Sequence, residues 1–182
     1  MKRQRGLTLI EIMITISILT IAITLVVPGT QSLLLQQRII ASLNATSASL
    51  QFAKSHAITQ MTDVSICPTV DYTSCVTDWG QAKMIFVDTN GNNQRDATET
   101  LLQTLSIVPF GVTLTSSSDV VRFYMSGLSA SPSTVLFCDQ SEDNQYARAI
   151  FISLQGRIST SLDSDNDGIY ETNSGVNLSC SD

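Results

Sequence analysis

Sixteen acidic residues stand against ten basic ones in a chain of 182 residues. Several recur at the alternate spacing that hard cations favour. Asp163, Asp165 and Asp167 precede Gly168 as DxDxDG, with Glu171 at the ninth position of the same loop. Oxygen ligands at alternate positions of a turning chain converge on one point, which is how calcium loops are built. The twelfth position is Ser174, so a bidentate glutamate is missing. Two readings follow, a calcium loop and a solvated acidic loop, and no other cofactor is expected. Asp88, Asn90, Asn92, Asp96 and Glu99 also fall at the first, third, fifth, ninth and twelfth positions of an EF-hand. There Asn93 takes the sixth position, which needs glycine, and Asn90-Gly91 is an ordinary turn signal, so a structural turn is the expectation.

Four cysteines, Cys67, Cys75, Cys138 and Cys180, allow three disulfide pairings. Locality favours Cys67 with Cys75, which leaves Cys138 with Cys180 to staple the C-terminal tail onto the domain. There is no CxxC, and the one histidine, His56, is far from the cysteines in sequence, so zinc is not expected. His56 lies among Lys54, Ser55 and Ala57, where a solvated or capping role is expected. Neither GxSxG, HExxH nor a phosphate loop occurs, and a single histidine offers little for base catalysis, so the chain reads as a non-enzyme.

One carboxylate stands apart. Glu11 is the only charge in the 21-residue run Leu7 to Val27, which as a helix would span about 30 Å, one bilayer core. Lys2, Arg3 and Arg5 precede the run and the next basic residue is Arg38, so the N-terminus is expected in the cytoplasm and the rest outside, where disulfides persist. A cleaved secretory signal is disfavoured because the run is long and no small-x-small pattern closes it near Val27 and Pro28. A carboxylate inside such a run costs roughly 2.5–3.5 kcal/mol on insertion scales and is normally kept because it has a partner.

The string Arg5-Gly6-Leu7-Thr8-Leu9-Ile10-Glu11 resembles the class III signal of type IV pilins and type II secretion pseudopilins. The resemblance implies cleavage after Gly6 by a prepilin peptidase and N-methylation of Leu7, where most members carry phenylalanine. It also implies that Glu11 pairs with the terminal amine of a neighbouring subunit during filament assembly. Loss of Lys2, Arg3 and Arg5 with the leader would leave seven basic against sixteen acidic residues, a net charge of −9. Such a surface repels phosphate backbones, so nucleic acid is not an expected partner.

The elements that must position these groups are few. Pro28 and Gly29 predict a kink, after which Ile39, Leu43, Leu50, Ala53, Ala57 and Met61 recur at helical steps as an amphipathic stripe. Past Asp63, short runs rich in β-branched and aromatic residues predict strands at 64–67, 83–88, 101–108, 112–115, 120–125, 134–138, 148–154 and 157–161. Gln155-Gly156 is a tight hairpin signal. A long helix on antiparallel strands is an α+β, pilin-like fold. The expected organisation is a leader at 1–6, a membrane or filament-core helix at 7–27, an amphipathic helix at 28–62 and a β-rich domain at 63–182.

Beyond the signal, the chain resembles the GspH/FimT family of minor pilins and pseudopilins. The carrying residues are Ser49 to Ile58, Val64 to Pro68, Trp79-Gly80 ahead of Ile85 to Asp88, the Asn90 to Glu99 turn, and Ala147-Arg148 leading to Gly156-Arg157. The resemblance implies a subunit that assembles or initiates a type IV pilus or a type II secretion pseudopilus. Other pilin subunits are then its partners, and it resides in the inner membrane with a periplasmic domain before entering the filament. The alternative is a DNA-binding minor pilin for uptake, since a branch of the family uses a Gly-Arg-x-Arg pattern. Here the pattern is Gly156-Arg157-Ile158-Ser159, which leaves Arg157, with Arg148 and Arg122 as candidate helpers.

Overall fold

A computed structural model of the chain describes residues 8–181, and of residues 25–29 the backbone alone. Thr8 starts the first element. Its Oγ1 accepts the Glu11 N–H at 3.3 Å, and Thr-x-x-Glu is the spacing of a capping box. From there α1 runs from Leu9 to Gln60, carrying Pro28 and Gly29 inside it. The hydroxyls of Thr15, Ser17, Thr20 and Thr24 each donate to a carbonyl one turn back, at 2.8–2.9 Å, so these hydroxyls are satisfied within the helix.

Two compact units divide the chain, the first ending at Gln36 and the second beginning at Gln37. In the second unit α1 buries Ile39, Leu43, Thr46, Leu50, Ala53 and Ala57, alternating steps of four and three along one stripe. Met61 does not join that stripe. It adopts φ 50° and is exposed, because the helix has already ended: Thr62 N–H bonds Ala57 O at 3.2 Å, the six-to-one bond of a Schellman stop with Met61 in the left-handed position. Thr46 and Ser49 are buried on the stripe instead.

Eight strands follow among the described residues: β1 Val64–Thr69, β2 Ala82–Val87, β3 Leu101–Leu105, β4 Val112–Ser116, β5 Val121–Phe123, β6 Ser133–Asp139, β7 Arg148–Ile152 and β8 Ile158–Thr160. They form two four-stranded antiparallel sheets, β3-β2-β1-β5 and β4-β6-β7-β8. In β4 the alternation is plain, Val112 and Leu114 buried and Thr113 and Thr115 exposed. Strand β1 is buried at all six positions, with a strand on either side of it. The β7–β8 turn is a Ser153 to Arg157 loop in which Gly156, at φ +70°, donates to Ser153 O at 2.8 Å. Any side chain at that left-handed position would be strained.

Candidate functional site

The residues with candidate chemistry fall into five groups: the start of α1, the two disulfides, the loops at 88–99 and 163–171, and the β7–β8 turn. Glu11 sits in the first turn of α1, where the positive end of the helix dipole favours a carboxylate. Gly6 and Leu7, the residues of the proposed cleavage and methylation, lie outside the described residues. Among the described residues no helix is long and apolar enough to cross a membrane. The Leu7 to Val27 run is described in its side chains only from Thr8 to Thr24.

The cysteines form two bridges, Cys67–Cys75 with Cα atoms 5.6 Å apart and Cys138–Cys180 at 5.9 Å. The first packs with Met84, Phe86 and Leu101, and closes a loop in which the Asp71 carboxylate accepts the N–H groups of Thr73 and Ser74, both at 2.9 Å. Those backbone donors hold its carboxyl well below the usual range. The second bridge ties the tail to a cluster of Ala147, Ala149 and Leu178.

The Asp88 to Glu99 loop carries its own cation. Asp88 is fully buried, and its Oδ2 accepts Arg122 Nη2 at 2.8 Å, Ser65 Oγ at 2.8 Å and Asn93 N–H at 3.3 Å. Arg122 reaches Ser65 Oγ at 3.2 Å and also donates to Asn93 Oδ1. A Cβ on Gly91 would fall 2.9 Å from Arg122 Nη1, so glycine makes room for the guanidinium. The remaining ligand candidates face amides: Asp96 accepts Asn90 at 2.6 Å and Asn92 at 3.3 Å, and Glu99 accepts Thr89 N–H at 2.8 Å and Asp96 N–H at 3.0 Å. The spacing of an EF-hand here makes a turn clasped by arginine.

The second acidic loop has a different character. Asp163, Asp165 and Glu171 each bring a carboxylate oxygen within 4.8 Å of the others. Asp167 is not among them; it accepts Ile169 N–H at 2.7 Å and Asn177 at 3.1 Å. Glu171 is buried and takes the Ser164 N–H, while Asp163 Oδ2 takes that of Gly168 at 3.2 Å. Asp163 Oδ1 is enclosed and has no hydrogen-bond donor. Three converging carboxylates with one unsatisfied oxygen suit a hard cation that takes oxygen ligands.

Arg157 is exposed beside the β7–β8 turn and shares a groove with Lys54, Ile58 and Gly156. Its expected helpers are engaged elsewhere. Arg122 is bound to Asp88, and Arg148 lies buried over the Tyr170 ring at 3.4 Å, donating to the carbonyls of Gln145 at 3.0 Å and Ala147 at 2.7 Å. Burial lowers the pKa of that guanidinium. The residue that sequence reasoning missed at this corner is Lys54, whose Nζ donates to Gly156 O at 2.8 Å. Another is Lys83, a lysine inside the apolar run Ala82–Val87, which is itself a signal of a buried charge. His56 is half-buried beside Phe52, its Nδ1 enclosed without a partner.

Comparison with known proteins decides the family. Residues 42–156 match the family described as type II transport protein GspH. The chain belongs to the GspH family. Residues 1–27 of this GspH-family chain also match the prokaryotic N-terminal methylation motif. Among solved structures, the type IV minor pilin FimU of Pseudomonas aeruginosa is similar at 24% identity and a TM-score of 0.57, over 84% of this chain and 99% of that one. The minor pseudopilin EpsH from the Type 2 Secretion System of Vibrio cholerae is similar at 12% identity and 0.52, over 68% and 95%. At these identities the likeness is one of fold. No curated protein matches the chain. The GspH family supplies minor pilins and pseudopilins of type IV pili and type II secretion, and membership implies membrane anchoring and association with other pilin subunits.

Proposed function

We propose that this chain is a minor pilin or pseudopilin that takes part in assembly or initiation of a type IV pilus or a type II secretion pseudopilus. A prepilin peptidase cuts after Gly6, Leu7 is methylated, and the anchor waits in the inner membrane with its N-terminus cytoplasmic and its domain periplasmic. The role is structural, without catalysis. The observation that carries this reading is one helix that joins a methylation motif at 1–27 to a GspH domain at 42–156, with Glu11 in its first turn. Glu11 invites two explanations, a cap for the helix and a charge for a neighbour. Glu11→Gln separates them, because glutamine keeps the capping box and loses the charge. Under the proposal, filaments sheared from cells contain neither Glu11→Gln nor Glu11→Val, while membrane insertion of both is intact. Wild-type entry of Glu11→Gln refutes the charge pairing.

The enclosed Asp163 oxygen favours a second property, calcium held by Asp163, Asp165 and Glu171. A calcium-loaded protein then melts higher than the same protein in chelator, and Asp163→Asn removes the difference. Equal melting in both conditions assigns the loop to solvent.

A further inference from the structure

Lys83 is 2% exposed, at the end of β2 between Pro68 of β1 and Leu105 of β3. Among the described residues it has no hydrogen-bond acceptor and no ion-pair partner, Arg122 with Asp88 being the one pair found there. Asp78 acts on it at longer range, and that carboxylate is engaged by Gly80 N–H at 2.8 Å and Gln81 at 2.9 Å. A buried ammonium without a counter-charge is costly and is normally paired. What Lys83 faces is a groove of about 310 Å³ between the flank of α1 and the segment after β3.

The walls of that groove say what would fit. Ser42, Thr46 and Ser106 bring hydroxyls, while Ala41 and Ala45 keep the helix flank low enough for another chain to approach closely. Beyond them Ile107 and Phe110 are 61% and 83% exposed, an apolar rim. Arg38 holds the outer end of this segment by donating to Phe110 O at 3.1 Å and does not itself line the groove, which leaves Lys83 as its cation. One ammonium with neighbouring hydroxyls matches a single carboxylate, whereas a phosphate dianion calls for more positive charge. The apolar rim suits a side chain borne on a polypeptide better than a free ion. Acid-rich subunits are suitable donors, this chain itself carrying a formal charge of −6.

We propose that the groove between α1 and the 105–110 segment accepts an aspartate or glutamate side chain from a neighbouring filament subunit, paired with the Lys83 ammonium. The inference rests on the filament reading, but its first test does not. Full-length protein in non-ionic detergent is acylated with a neutral amine reagent, and the rate at Lys83 is read by peptide mass spectrometry across pH, with hexanoate or its neutral amide as probe. Burial lowers the pKa of Lys83 to about 8, opposed by Asp78, so the amine is reactive there. Bound hexanoate stabilises the charged form and raises that pKa by about one, slowing the reaction roughly tenfold on the steep limb. The protection disappears at higher pH, where the ammonium is lost. Equal rates with hexanoate and the amide overturn the site.

The second test uses filaments sheared from cells and treated with a water-soluble carbodiimide, which joins a seated carboxylate to the Lys83 amine as an isopeptide. An intersubunit Lys83 cross-link names the neighbour; its absence in filaments that contain the protein overturns the neighbour as occupant. Absence of the protein from filaments instead overturns the functional reading, and the neighbour with it, while the hexanoate result still decides whether a carboxylate binds. Lys83→Met, which retains the volume without the charge, abolishes the cross-link while leaving the fold intact.

Discussion

The Gly156-Arg157 pair invites reading as one motif, yet the structure assigns its halves different work, and Gly156→Ala tests the division. Gly156 is at φ +70°, and a Cβ there would fall 2.0 Å from Gly127 O and 3.2 Å from Gly127 C. Real Cβ atoms do not approach oxygen so closely, so either the 125–131 loop or the β7–β8 turn must move. The left-handed conformation itself costs roughly 1–2 kcal/mol for a residue with a Cβ. Forcing a carbon into a packed contact adds about 1–3 kcal/mol. Displacement of the turn also endangers the charged hydrogen bond from Lys54 Nζ to Gly156 O, 2.8 Å long and worth about 1.5–3 kcal/mol. The contributions share one movement, so about 3–5 kcal/mol is the expected loss, a large part of the roughly 5–15 kcal/mol that holds a domain together. Thermal unfolding of the full-length protein in detergent measures it, and a domain of this size should melt about 10 °C lower. Arg157→Ala, an exposed truncation, should stay within about 0.5 kcal/mol of wild type. A Gly156→Ala variant as stable as Arg157→Ala would refute the reasoning and show that the 125–131 loop yields freely.

Two further outcomes follow from buried charges. Arg122→Met strands the Asp88 carboxylate, which already has one enclosed oxygen without a donor, and should cost about 3–5 kcal/mol in urea unfolding. Adding Asp88→Asn should recover most of that, and strictly additive losses would show that the pair is not coupled. Lys83 gives the opposite sign. Its folded pKa, about 8, lies below the ordinary 10.5, so between these values the unfolded chain holds a proton that the folded one does not, and stability rises with pH. Wild type should therefore gain on the order of 2–3 kcal/mol relative to Lys83→Met between pH 8 and 10.5. A constant difference across that window would mean that the ammonium is solvated.

Much of this fold is legible in the sequence because its strands alternate or are continuously apolar between strong turn signals. All eight predicted strands are found, most shifted by one or two residues at an end. Their division into two sheets is not legible, since nothing local says that β5 returns to β1 while β4 joins β6. Met61 fits the helical period as well as Ala57 does, but the period does not reveal a Schellman stop one residue earlier. Thr46 and Ser49 are polar and so do not show in the apolar stripe, yet they are buried because they lie on or beside the side of α1 that the stripe marks. The Asp88 loop shows the same limit more sharply. Its ligand spacing is visible, but the arginine that takes the cation's place comes from a strand 34 residues away.

That arginine is one case of a wider pattern that bears on which partners this surface can hold. Of the seven basic residues beyond residue 6, Arg38, Lys54, Arg95 and Arg148 donate to backbone carbonyls of Phe110, Gly156, Tyr72 and Gln145, and Arg122 to Asp88. The domain uses its few cations to clasp loops together. Binding to a nucleic-acid backbone grows with the number of phosphates neutralised, and cations already holding carbonyls are withdrawn from that count unless the loops they clasp come apart. Arg157 remains as an exposed guanidinium, and a single contact of this kind gives little affinity at physiological salt. Lys83 remains as well, buried beside the groove between α1 and the segment after β3. The electrostatics of the domain therefore leave few free cations for a phosphate chain, because most of its positive charge is engaged within the fold.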